Sequence, residues 1–348
     1  MSKLVRWEEL KVTGEIPEKT SKASVVMISE TEFVLLFGFS SQTTDKIYHF
    51  SLNTNTWTIV NSPSKEYPAS RYGASADLYK GDVYVFGGIS GQIYYKEFWK
   101  LSQNTWEWQK LDCENGPSGR QSHRTVIIGS QLFLYGGRLR NGQSDELWVY
   151  DLNGELGWNK ITLGGQKPPQ LSSQLMFKSG SNLVIYGGVS ISTYTNEMYM
   201  ISLKDFNSIK IKQTSTSERP SNRASSAGII WNNYLILFGG RNQRSEYFND
   251  FHLFNLDTNS WSPAKTMFPP QSAMISKRAC HNCIKCKDGM LVIGGEFLDG
   301  DVWLLRILDD LKTDLYDLLL SQKFTNNREE IENESEEDYS DEDESDEY

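Results

Sequence analysis

The chain has 348 residues, among them 17 Tyr, 16 Phe and 10 Trp, enough apolar area for a sizeable core, and its formal net charge is −10. Thirteen of the 45 acidic residues lie between Glu329 and Tyr348, where there is no Lys or Arg; the rest of the chain holds 32 acidic against 35 basic residues and is close to +3. That balance argues against the strong basic stripe of a nucleic-acid binder, no apolar run reaches the ~18–20 residues of a membrane span, and four cysteines are too few for a disulfide scaffold. The segment from Met1 to Trp7 lacks the apolar centre of a signal peptide, so the expected address is cytoplasmic, with the nucleus as a second one.

In chain order, the first predicted element is a Trp-led strand over residues 5–12, with Trp7-Glu8-Glu9-Leu10 at its centre. Six β-rich runs follow: Val34-Leu35-Leu36-Phe37, Val83-Tyr84-Val85-Phe86, Leu132-Phe133-Leu134-Tyr135, Leu183-Val184-Ile185-Tyr186, Leu235-Ile236-Leu237-Phe238 and Leu291-Val292-Ile293. Such aromatic and β-branched runs bounded by Gly read as buried strands. The last five end at Gly87-Gly88, Gly136-Gly137, Gly187-Gly188, Gly239-Gly240 and Gly294-Gly295, and the first at a degenerate copy read as Gly38-Phe39. Second positions 39, 88, 137, 188, 240 and 295 are 49, 49, 51, 52 and 55 residues apart, so the chain is an array of about fifty-residue units.

Each unit carries further marks. Seventeen residues before the second Gly stands Arg71, Arg120, Arg223 or Arg278; Lys22 is assigned to that slot in the first unit, and Leu171 breaks the pattern in the fourth. After each diglycine come a variable polar loop, a third strand such as Leu147-Trp148-Val149-Tyr150, a turn such as Asp257-Thr258-Asn259-Ser260, and a strand led by Trp57, Trp106 or Trp108, Trp158 or Trp261, with Ile209 in the fourth unit.

Diglycine, spaced aromatics and Trp together resemble the kelch repeat over residues 4–307. The resemblance implies one four-stranded antiparallel blade per unit, six in all, arranged radially as an all-β propeller. The last unit has a third strand, Val302-Trp303-Leu304-Leu305, and no Trp strand after it. Residues 5–12 are therefore expected to complete blade six and close the ring. Beyond the propeller, Leu308, Leu311, Leu315, Leu318 and Leu319 predict an amphipathic helix over 308–324 that docks on the propeller, and 325–348 reads as a disordered acidic tail. The helix weakly resembles the lead-in of kelch–BTB proteins. Ser335 and Ser340, each followed by acidic residues, resemble sites of acidophilic kinases.

Motifs that suggest chemistry are few. Cys280-His281-x-Cys283-x-x-Cys286 invites a metal reading, but on a strand Cys283 points opposite to Cys280 and Cys286, so core thiols are expected and no metal or other cofactor. His123 and His281 fall in units opposite one another across the central channel. Because some kelch propellers are enzymes, a metal or acid–base site on one face is the alternative, yet no phosphate loop, GxSxG elbow or metal-spaced His pair occurs. The primary expectation is a non-catalytic monomeric scaffold or adaptor. The repeat Arg slots and the loops after the diglycines share one face, gathering Arg138, Arg140, Arg241 and Arg244 with Arg71, Arg120, Arg223 and Arg278. Tyr94, Tyr95, Tyr194 and Tyr247 accompany them, a composition that suits an acidic or phosphorylated protein segment. The acidic tail is a candidate competitor for that face. By resemblance, partners extend to actin, small-GTPase and ubiquitin-ligase systems.

Overall fold

A computed structural model of the chain describes residues 5–18, 20–154, 157–191, 193–214, 219–263, 275–296 and 300–307. The helix expected over 308–324, and the tail over 325–348 with Ser335 and Ser340, lie outside the described residues.

Each repeat folds locally because its apolar runs are joined by short turns that suit antiparallel pairing. In blade 2, Ser75–Tyr79, Asp82–Phe86, Phe98–Ser102 and Trp108–Leu111 pair in succession. The other blades repeat this order, starting at Ser24–Met27, Arg124–Ile128, Leu175–Ser179, Ala227–Trp231 and Asn282–Cys286. Blade 6 takes its fourth strand from the other end of the chain. Val5–Glu9 pairs antiparallel with Val302–Ile307, with Trp7 opposite Leu305. The following residues, Thr13–Gly14, run parallel to the outer strand of blade 1, Thr56–Val60, as Gly164–Gly165 does to that of blade 4, Asn207–Lys210. Edges that would otherwise present unpaired amides are thus partly covered.

The core consists of six apolar wedges, one between each pair of neighbouring blades. The wedge between blades 5 and 6 contains Val5 and Trp7 beside Phe238 and Trp303, and the Trp7 and Phe238 rings lie 5.1 Å apart. The closing strand therefore contributes to a wedge as well as a ladder. Truncating a buried aromatic of this kind costs about 3–5 kcal/mol.

Backbone geometry corrects three assignments of the repeat. Gly38 N–H donates to Arg71 O just as Gly88 N–H donates to Arg120 O, so the degenerate diglycine is Phe37-Gly38 rather than Gly38-Phe39. Phe37 takes the left-handed conformation (φ 62°) that Gly87 takes in blade 2 (φ 70°), and its buried ring lies 6.2 Å from Trp108. At Gly87 a Cβ would stand 2.7 Å from Arg120 O, so the close approach of the next blade requires glycine there. Ser21 pairs with Phe39 as Tyr72 pairs with Ile89, which puts Thr20, and not Lys22, in the Arg slot of blade 1. In blade 4 the Trp slot, opposite Ile201, is Ser208; Ile209 faces solvent. In blade 2 the slot belongs to Trp108.

Candidate functional site

The face carrying the loops between second and third strands is built on a repeated clamp. Arg71 donates through Nε to Ala69 O (2.8 Å), through Nη1 to Gly87 O (3.1 Å) and through Nη2 to Glu97 Oε2 (2.7 Å). Arg120 makes the same set with Ser118 O, Gly136 O and Glu146. Arg223 and Arg278 each hold a carboxylate with both Nη groups, Asp250 at 2.6 and 2.7 Å and Asp301 at 3.1 and 2.9 Å. Two residues beyond each carboxylate a ring nitrogen also reaches it: Trp99, Trp148, His252 and Trp303.

All four repeat arginines are at most 1% exposed. They were expected to contribute to a binding surface, and the structure places them beneath it. Their main chains tie each blade to the one before, since Arg120 O accepts from Gly88 and Arg278 O from Gly240. Burial raises the Glu146 carboxyl, but Lys160, Arg120 and Trp148 more than offset this and hold it down at about 2; Glu97 and Asp250 are also held below the ordinary range. Tyr95, likewise expected on the surface, stacks 3.9 Å above the Arg71 guanidinium, and Phe248 stacks 4.3 Å above Arg223.

The two irregular blades support this account. Blade 1 has Thr20 in the Arg slot and Lys46 where the carboxylate would stand, so both halves of the clamp are missing together. Blade 4 has Leu171 in the slot but keeps Glu197, which is met instead by Arg219 and Lys210, each at 3.3 Å. The carboxylates were not anticipated from the sequence, although a signal exists. Glu97-Phe98-Trp99, Glu146-Leu147-Trp148, Asp250-Phe251-His252 and Asp301-Val302-Trp303 repeat one acidic–apolar–ring pattern.

The loop arginines differ. Arg138, Arg140 and Arg244 are exposed and make no side-chain hydrogen bond or ion pair among the described residues. Arg241 is held by Glu296 at 3.4 Å, and Tyr247 also donates to Glu296. Tyr94 pairs with Ile89 and Tyr194 with Val189 in the short hairpins of blades 2 and 4. Three apolar side chains overlooked in the sequence project from the same loops: Phe39 (42% exposed), Ile93 (61%) and Ile191 (74%). The face therefore combines exposed guanidinium groups with apolar tips.

Below this face the axis is closed. Lys22, Gly73, Ser122, Ser173, Ser225 and Cys280, one from each blade, form a complete circle of N–H to carbonyl hydrogen bonds of 2.7–3.1 Å. All six have φ between 53 and 67°. At the other end of the axis the channel widens into a basin of about 500 Å³ lined by residues including Met27, Asp77, Phe177 and Lys285.

His123 and His281, on blades 3 and 6, do not meet across the axis. His123 packs edge-on to Phe86 of blade 2 and bonds Ser75 Oγ, and His281 packs against Phe238 of blade 5. Burial lowers both well below the ordinary imidazole range, His281 to about 3. Cys283 belongs to the wedge between blades 5 and 6 and Cys286 to that between blades 6 and 1, so these thiols diverge. Among the described residues no group of three His, Cys, Asp or Glu side chains is arranged to hold a metal.

Comparison with known proteins gives a consistent picture. The family model described as "KLHDC2/KLHL20/DRC7 Kelch-repeats domain" matches residues 2–129 and 114–295. Kelch domain-containing protein 10 of Homo sapiens is 24% identical over 263 residues, 69% of this chain and 59% of that protein. Its Xenopus tropicalis counterpart is 23% identical over 308 residues, 79% of this chain and 74% of that protein. The leucine-zipper-like transcriptional regulator 1 homolog of Drosophila melanogaster is 23% identical over 83% of this chain, which spans only 31% of that protein's length.

Proposed function

This chain belongs to the kelch-repeat family, a family consistent with a protein-interaction role, and from that premise we propose that it is a non-catalytic scaffold whose loop face holds an acidic or phosphorylated protein segment. The observation that carries the reading is the contrast between arginines on this face. The repeat arginines have their own carboxylates, whereas Arg138, Arg140 and Arg244 are exposed and have none among the described residues. A guanidinium without an internal partner has its full donor fork available for a carboxylate or phosphate. Phe39, Ile93 and Ile191 add apolar area around it, so the fitting segment carries an apolar side chain beside its charge. Tyr94 and Tyr194 belong to the same surface. A non-catalytic role is supported by the use of the buried Arg, His and Cys side chains in packing and clamps. The four free thiols favour a reducing compartment, cytoplasmic or nuclear.

The test is binding of acidic and phosphoserine peptide arrays, followed by fluorescence polarisation on the hits, with the parent and an Arg138→Glu, Arg140→Glu, Arg244→Glu variant. Expected are a loss of at least ten-fold in affinity with unchanged folding, and parent affinity that falls as salt rises. Equal binding by the two proteins overturns the assignment of this face.

A further inference from the structure

Directly under the circle of backbone hydrogen bonds the axis holds a half-open chamber of about 50 Å³. Lys22, Ser122, Ser173, Ser225 and Cys280 form its roof, and His123, Arg124, His281 and Asn282 are among its walls. A water needs ~10–15 Å³ of such space, so the chamber has room for a few waters or a small ion and for no organic ligand.

Its lining is electrostatically one-sided. Arg124 brings the charge, Lys22 holds its ammonium over the Tyr72 ring 5.4 Å away, and no carboxylate is among the lining residues. Arg124 starts on blade 3, donates from Nε to Gln174 O of blade 4 at 3.1 Å, and is within electrostatic reach of Asp77 on blade 2 and of Cys280 and Cys283 on blade 6. It makes no ion pair within 4 Å among the described residues, unlike each repeat arginine. Asp77, below the chamber in the wider basin, is occupied by the Thr125 hydroxyl, and burial pushes its carboxyl up to about 6. Asp77 therefore opposes Arg124 from outside the chamber, without an ion pair within 4 Å. His281 lines the chamber at 3% exposure, with its ring packed against Phe238 of blade 5. The two Arg124 Nη groups have no hydrogen bond among the described residues and call for a bound water or ion, and the guanidinium charge decides its sign.

We propose that this axial chamber binds a small inorganic anion of the halide class, held by the Arg124 guanidinium beside Ser122, Ser173 and Ser225, as a structural centre joining blades 3, 4 and 5. The site is separate from the loop face, because the circle of hydrogen bonds lies between them.

Bromide is the probe. The full chain is purified, refolded and crystallised in bromide, and its melting temperature is compared in bromide and gluconate at equal ionic strength. Expected are an anomalous scattering peak in the chamber beside Arg124 and a melting temperature higher by about 1–3 °C in bromide. Arg124→Met should remove both. Asp77→Asn, which leaves Arg124 in place and removes the opposing charge, should lower the bromide concentration needed for half the stabilisation by several-fold. Ordered waters without an anomalous peak overturn the proposal. So does a peak in the crystal with no halide-specific change in melting, or an Asp77→Asn variant whose halide response equals the parent's.

Discussion

Arg120 and Arg140 stand on one face of one blade, yet they have opposite circumstances. Arg120 is buried, with all three guanidinium nitrogens bonded and Glu146 at 2.8 Å; Arg140 is exposed and has no partner among the described residues. Residue type and face therefore do not define a binding site. What separates the two is whether the fold brings a carboxylate within reach. A clamp arginine holds blades together, and its removal is a stability change; a loop arginine such as Arg140 has no such partner among the described residues.

The largest expected effect in this comparison comes from Arg120→Met. It leaves Glu146 without its buried partner and Gly136 O without a donor, and should cost about 3–5 kcal/mol, lowering the melting temperature by roughly 5–10 °C in calorimetry. A cost below 1 kcal/mol would show that the clamp is incidental. The loop substitutions proposed above should, by contrast, stay within about 0.5 kcal/mol of the parent.

An intermediate effect concerns acid. His281 in the folded chain is held near 3, mainly by burial with Arg278 and Arg124 adding to it, while in the unfolded chain it titrates near 6.5. The unfolded chain thus takes up the proton first, so this contribution is complete above pH 6.5 and is lost as pH falls toward 3. Glu146 acts lower: its contribution is present above about 4.5 and is lost as pH falls toward 2, the value at which it is held, and Glu97 and Asp250 act in the same direction. Asp77, raised to about 6, works against the histidine between 6 and 4. Urea titrations at pH 7, 5.5 and 4.5 should therefore show a smaller loss of stability for His281→Gln than for the parent. An identical pH profile would mean that the ring is protonated in place.

The smallest effect is expected at blade 4, where Arg219, 29% exposed, stands in for the missing clamp arginine at Glu197. Arg219→Ala should cost less than about 1 kcal/mol, because solvent screens an open pair that has a second cation, Lys210, beside it. A cost equal to that of Arg120→Met would erase the distinction between buried and open clamps.

Much of this architecture was legible in the sequence. The interval of about fifty residues, the buried second strands and the diglycines gave six blades, and Trp7 before a unit lacking its last strand gave the closure that Trp7 and Leu305 make. Slot-level reading slipped where a unit departs from consensus. Phe37 accepts a left-handed backbone that counting reserves for glycine, and Thr20 holds the Arg slot with spacing one residue longer than elsewhere. On the loop face, the sequence placed Arg138, Arg140 and Arg244 in loops where they are exposed, but the clamp was not legible, because Arg71 and Glu97 are 26 residues apart and only strand pairing sets them side by side.

The sequence by itself determined the number of blades, the order of their strands and the seam that closes the ring, because these follow from local periodicity and chain connectivity. Only the tertiary structure decided which charges are satisfied. The partner of Arg120, the circle from Lys22 to Cys280 and the bond from Arg124 to Gln174 all depend on groups brought together across blades, where burial makes an unpaired charge costly and a paired one structural.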